Sequence, residues 1–283
     1  MARETSGEAT PAGKRSLAWA LRCTLALTLP FLCLLPCAYA LPRVALDGSF
    51  AVVCLALTHT GGARGIPLAL LAALALLVSR PEIPWRRRTA EALLVVLALG
   101  GVFGAAAYAN EFLVKERLAV PRPSVRELAN EGLLGLSPEA FYALGDKDAR
   151  RAYLAERLRR PEVRRVLAVR PAVLAHWAHE TGYSFPSGHS LASMSFATCF
   201  LALGFALAGG WRRRVLSLLP LWALGVCFTR VLLRVHSPTD VTVGGVLGAG
   251  LGLLAFLAAW GLLRRWAPNP DPRAEANEPC PSP

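Results

Sequence analysis

Three polar clusters stand at the ends of long apolar runs, and their residue types suit the handling of an oxyanion. Lys115 and Arg122-Pro123 follow one run; Ser184-Phe185-Pro186-Ser187-Gly188-His189 opens another; Thr229-Arg230 and His236-Ser237-Pro238-Thr239-Asp240 lie between the last two. Lys115 and Arg122 are fixed cations, and the planar fork of arginine matches phosphate oxygens. Pro186 suits the first turn of a helix, so Ser187, Gly188 and His189 are expected to present free backbone N–H groups where the helix dipole favours an anion. Gly188 lets the backbone approach that anion closely. His236 precedes Asp240 by four residues, within reach of a bond from its ring N–H. Such a bond fixes the tautomer and leaves the other ring nitrogen free to attack. His189 is then the acid that protonates a departing alkoxide. Ser237 is expected to cap a helix opened by Pro238, with Asp240 in its first turn. Taken singly these signals are weak, because a lysine or arginine at a membrane interface commonly snorkels. Their order, K-x6-R-P, then P-S-G-H, then R-x5-H-x3-D, is what carries specificity.

The elements that must position these residues are membrane helices. The chain has 283 residues, 54% of them hydrophobic, and a mean hydropathy of +0.42. Soluble domains carry about 45–50% apolar residues even with glycine included. Apolar runs are expected to span the bilayer at roughly 16–40, 64–79, 89–113, 189–209, 215–233 and 239–262. The first could instead be a secretory signal, since Ala38-Tyr39-Ala40 resembles a cleavage site; its length favours a retained helix. Residues 1–13 and 267–283 read as disordered tails. The net charge is +12, but the basic residues cluster beside apolar runs and form no single legible basic face, which argues against a nucleic-acid partner. The seven cysteines lie mostly in apolar runs and include no CxxC pair, so they read as small buried residues.

Arginine clusters at 86–88, 212–214 and 264–265 occupy alternate loops together with Lys14 and Arg15. The positive-inside rule makes that side cytoplasmic, both termini included. By alternation all three polar clusters then emerge on the opposite, periplasmic face. The polar stretch 114–183 emerges there too and reads as a small amphipathic helical insertion, with helix starts at Ser137-Pro138-Glu139, Pro161-Glu162 and Pro171. The expected architecture is therefore all-α: a six-transmembrane-helix bundle, residues 14–266, carrying that insertion. His176 and His179 are two possible metal ligands, too few for a site on their own.

With its motifs in this order the chain resembles the type 2 phosphatidic acid phosphatase superfamily. Its signature is K-x6-R-P, P-S-G-H and S-R-x5-H-x3-D, matched by Lys115/Arg122/Pro123, Pro186–His189 and Arg230/His236/Asp240, with Thr229 where serine is usual. It resembles in particular the bacterial phosphatidylglycerophosphatase B branch, which carries a stretch like His176-Trp177-Ala178-His179-Glu180-Thr181-Gly182 before P-S-G-H. The resemblance implies a lipid phosphatase of the inner membrane that needs no metal or other cofactor. His236 would form a phosphohistidine, Asp240 would orient it, and His189 would protonate the leaving group and later activate water. Lys115, Arg122, Ser187, Gly188 and Arg230 would bind the phosphoryl oxygens, and Glu180 would shape the pocket. The implied partners are the bilayer and a lipid phosphate: phosphatidylglycerophosphate, phosphatidate, lysophosphatidate or undecaprenyl diphosphate. The sequence does not choose among these, nor does it fix the oligomeric state. A soluble haloperoxidase sharing the same pocket is argued against by the membrane runs. A non-catalytic lipid carrier is argued against by the complete catalytic set.

Overall fold

The computed structural model describes residues 17–266, and these are all-helical, with one isolated bridge between Leu46 and Val169 and no strand. The expected tails at 1–13 and 267–283 lie outside the described residues. Five helical stretches are long and apolar enough to cross a membrane: Leu17–Ala40, Trp85–Asn130, Gly188–Leu207, Gly210–Leu232 and Pro238–Trp266. A sixth arises only if α2 (Ser49–Thr60) and α3 (Gly65–Val78), bent by 63° at the intervening break, count as one.

Several boundaries differ from the sequence expectation for physical reasons. α1 (Leu17–Leu34) tightens into a 3₁₀ turn at Leu35–Ala40, where Pro36 lacks the N–H that an α-helix would use. α2 forms between the expected spans 16–40 and 64–79. Its Ala51, Cys54, Leu55 and Thr58 are buried at helical spacing, while the intervening Val52 and Val53 face outward and blur the pattern. α4 (Trp85–Tyr108) runs through a π-turn, Ala109–Val114, into α5 (Lys115–Leu118). The helix stops at Ala119, which takes a left-handed φ of 46°, two residues before Pro121. Trp211 to Arg214, expected in a loop, belong to α12 (Gly210–Leu216), which precedes α13 (Leu219–Leu232).

α11 (Gly188–Leu207) is the central helix: 78% of its apolar window is buried, against 17–44% for the other candidate spans. α14 (Pro238–Trp266) packs against it along a glycine seam. A Cβ at Gly244, Gly248 or Gly252 would lie 2.7, 2.5 and 2.5 Å from the carbonyl oxygens of Ser187, Leu191 and Ser195. Small residues four apart bring two helix backbones together in this way. The seam also aligns the first turns of the two helices, so that 187–189 face 236–240.

Between α5 and α11 lie α6 (Pro123–Asn130), α7 (Pro138–Tyr142), α8 (Lys147–Arg159), α9 (Pro161–Val166) and α10 (Pro171–His179). The expected starts at Pro138, Pro161 and Pro171 are all present, and Ser137 Oγ caps α7 by accepting from Ala140 N–H at 3.2 Å. These helices share a core of Val125, Leu134, Phe141, Leu154 and Trp177 with Cys54 and Leu55 of α2 and with Leu233. The indole N–H of Trp177 donates to the Leu233 carbonyl at 2.8 Å, anchoring α10 beside the turn that carries His236.

Candidate active site

The α13–α14 turn sets His236 and Asp240. Ser237 and Asp240 cap α14 reciprocally: Asp240 N–H donates to Ser237 Oγ at 3.2 Å, and Ser237 N–H donates to Asp240 Oδ2 at 2.8 Å. The same carboxylate oxygen lies 3.3 Å from His236 Nδ1 and accepts from the Ser184 hydroxyl. On the far side of the ring, Nη1 of Arg122 donates to His236 Nε2 at 3.1 Å. Arginine can only donate, so Nε2 carries the lone pair and Nδ1 the proton; these partners fix the tautomer. Burial, and then the Arg122 cation, push the His236 pKa below the usual imidazole value, against the pull of Asp240. The ring is therefore neutral, with its free nitrogen aimed at a cation.

Arg122 is held on every side. Its Nε donates to the Gly182 carbonyl at 2.8 Å, its Nη1 also to the Val235 carbonyl at 3.0 Å, and its Nη2 pairs with Glu180 at 2.8 Å. Its backbone N–H donates to the Tyr142 hydroxyl at 3.1 Å. Tyr142 stacks on Tyr183, and the buried Arg150 lies over both rings.

Arg230 is fully buried near the C-terminal end of α13. Its Nη1 reaches Thr58 Oγ1 at 2.9 Å and His176 Nε2 at 3.2 Å, and its Nη2 lies 3.0 Å from Glu180 Oε1. That ion pair is not aligned as a hydrogen bond, and Nε and Nη2 are buried donors without a hydrogen-bond partner among the described residues. Buried donors of this kind call for an acceptor, and an oxyanion supplies one. His176 is held neutral, its pKa pushed down to about 3 by burial and by Arg230. Burial alone would raise the Glu180 pKa, but Arg230 and Arg122 outweigh it and hold the carboxyl well below its ordinary value.

A cavity of about 220 Å³ gathers these groups, with Lys115, Arg122, Glu180, Gly188, His189 and His236 on its wall. His189 enters from the first turn of α11, and Gly62 packs against it: a Cβ there would lie 2.9 Å from His189 Nε2. Gly188 lies close to the cations as well, since a Cβ on it would meet Asn110 Nδ2 at 3.7 Å and Lys115 Nζ at 3.9 Å in ordinary contact. Arg230, Asp240 and Ser187 stand behind the wall. The expectation of a free Ser187 N–H is corrected: it donates to the Asp240 carbonyl at 3.0 Å, tying α11 to α14. The Ser187 hydroxyl caps α11, and Pro186 precedes this cap rather than entering the helix. The amides of Gly188 and His189, at the first two helical positions, are the ones left to meet an anion. A larger cavity of about 540 Å³ also reaches His236, lined by Arg43, Arg126, Glu127 and Arg234, but it holds neither His189 nor Lys115.

The PAP2 superfamily model matches residues 89–264, most of the chain, and this stretch includes every site residue expected from the sequence. The chain belongs to the PAP2 superfamily. Among PAP2-type relatives, it is 32% identical to phosphatidylglycerophosphatase B of Escherichia coli (strain K12) over 173 residues, 58% of this chain and 59% of that protein. It is 33% identical to phosphatidylglycerophosphatase B of Haemophilus influenzae over 141 residues, 48% of this chain and 54% of that protein. The match thus spans little more than half the length of each relative. Sequence reasoning gave no role to Ser184, Thr58, Glu111 or Lys147 in this PAP2 site, and weighed His176 only as a possible metal ligand. His176 instead turns its Nε2 to Arg230, and among the described residues no three His, Cys, Asp or Glu side chains gather to hold a metal ion.

Proposed function

We propose that this protein is a metal-independent membrane lipid phosphatase working through a phosphohistidine. The observation that carries the reading is His236 itself: Nδ1 faces Asp240 at 3.3 Å and Nε2 faces Arg122 at 3.1 Å, in one cavity with His189 and Lys115. Nε2 attacks phosphorus as the ester P–O bond breaks, and His189 gives its proton to the departing alkoxide. The neutral His189 then takes a proton from water as that water attacks phosphorus and the P–N bond breaks, releasing inorganic phosphate and returning the lone pair to His236 Nε2. Lys115, Arg122, Arg230 and the amides at 188 and 189 hold the phosphoryl oxygens and offset the charge that grows in the transition state. Ser187 and Asp240 position this set.

The substrate class is a lipid phosphomonoester or diphosphate, such as phosphatidylglycerophosphate, phosphatidate or undecaprenyl diphosphate. Residues 14–266 form the membrane domain, with α2 and α3 together making the sixth crossing. The arginine clusters support a topology with both termini in the cytoplasm, and the site and insertion on the periplasmic face of the inner membrane. Purified protein in detergent micelles is expected to release phosphate from these lipids with EDTA present. Activity that vanishes in EDTA and returns with a divalent metal would overturn the metal-free mechanism.

A further inference from the structure

Two carboxylates in the site each bridge two cations. Glu180 bridges Arg122 and Arg230 beside His236. Glu111, at the π-turn, bridges Lys115 at 2.9 Å and also pairs with Lys147, at the start of α8. The two layers are separated by one residue, Gly182. Its carbonyl takes the Arg122 Nε–H at 2.8 Å, while a Cβ on it would lie 3.1 Å from Lys147 Cε and 3.6 Å from Glu111 Oε1. The absence of a side chain at 182 is therefore what lets Lys147 lie directly outside the inner cations. Lys147 is fixed there by its own backbone too, since its carbonyl accepts the Thr181 hydroxyl at 3.1 Å. Arg151, one helical turn on, lines the same cavity and is oriented by the His179 carbonyl at 3.1 Å.

Charge is in excess in this arrangement: Lys115, Arg122, Arg230, Lys147 and Arg151 line or adjoin the cavity against Glu111 and Glu180, with Asp148 pairing Arg151 from outside at 2.8 Å. One phosphoryl group beside His236 is served by Lys115, Arg122 and Arg230, and Lys147 and Arg151 line the same cavity with no part in that step. The outer layer also adjoins an apolar rim, because Tyr108, Phe112 and Leu113, next to Glu111 in the chain, are all exposed.

Building on the lipid phosphatase reading, we propose that Lys147, with Arg151, forms a second phosphate subsite. This subsite selects lipids that carry another phosphate group next to the one removed. Glu111 pairs with Lys147 at this subsite as Glu180 pairs with the two inner arginines. The second phosphate belongs either to a prenyl diphosphate, directly bonded to the first, or to phosphatidylglycerophosphate, one glycerol away.

The test compares kcat/KM for wild type, Lys147→Met and Lys147→Arg on farnesyl diphosphate, phosphatidylglycerophosphate and phosphatidate. In Lys147→Met, the ratio of either two-phosphate lipid to phosphatidate is expected to fall about tenfold, mainly through KM, and Lys147→Arg is expected to restore it. The lipid whose ratio falls more identifies which spacing the subsite reads. Equal loss on all three lipids would make Lys147 a clamp for the insertion and overturn the subsite, as would no loss on any. A wild type inert on all three would overturn the phosphatase reading itself, and the subsite with it.

Discussion

Oε2 of Glu180 lies 2.8 Å from Nη2 of Arg122, where a phosphoryl oxygen would be expected to sit. The same carboxylate reaches Arg230, so the two arginines are held apart at a spacing set by an internal anion. On the proposed mechanism an arriving phosphate competes with Glu180 for both arginines. Glu180→Gln removes the competing charge, and the inhibition constant of inorganic phosphate is expected to fall about tenfold, equivalent to ~1.4 kcal/mol. A weaker phosphate affinity would show that Glu180 organises the arginines rather than competing for them.

Asp240→Asn keeps the size of the side chain but can present an amide to His236 Nδ1, favouring the tautomer with its proton on the attacking nitrogen. In a serine protease triad the corresponding change lowers kcat about 10⁴-fold. A fall in kcat of at least about 10³-fold, with KM little changed, is expected from steady-state kinetics. A variant within tenfold of wild type would remove Asp240 from the orienting role.

The glycine seam predicts a sharp contrast within one helix. A Cβ at Gly248 would lie 2.5 Å from the Leu191 carbonyl, whereas one at Gly250 meets nothing within 4 Å. Gly248→Ala is expected to cost about 1–3 kcal/mol through forced separation of the helices. Thermal unfolding in detergent should show a lowered Tm for Gly248→Ala and an unchanged or raised Tm for Gly250→Ala. Equal behaviour of the two would contradict the packing described.

His176 supplies a pH signature. Its pKa is pushed down to about 3 in the fold, while an unfolded histidine titrates near its ordinary 6.5. Between those values the unfolded chain binds the extra proton, so this contribution is complete above pH 6.5 and is lost as pH falls toward 3. At pH 5 the loss amounts to about 2 kcal/mol. Melting curves at pH 7 and pH 5 should show a smaller acid-induced drop in Tm for His176→Gln than for wild type. An identical drop would mean that His176 is not buried neutral.

What could be read from the sequence was local. The caps at Ser137 and Ser237 depend on residues three positions apart, and both formed as expected. The pairing of His236 with Asp240 depends on one helical turn, and it formed too. What could not be read was tertiary. Glu180 is one acid among many until the fold sets it between Arg122 and Arg230, which lie 58 and 50 residues away. Ser184 and His176 gain their roles only through partners on α14 and α13. The buried stripe of α2 was hidden because it faces the insertion core instead of forming an unbroken apolar run. Ser187 misled for a related reason: its N–H looks free at a helix start, but the glycine seam brings the Asp240 carbonyl onto it.

The central claim is that His236 carries the phosphoryl group. Rapid mixing of the protein with a lipid labelled by ³²P in its terminal phosphate, followed by an alkaline quench that preserves phosphohistidine, tests it directly. Label is expected to appear during the first turnover on the peptide containing His236, and to be absent from His236→Ala. Turnover without labelled protein at any mixing time, or label on another residue, would contradict it.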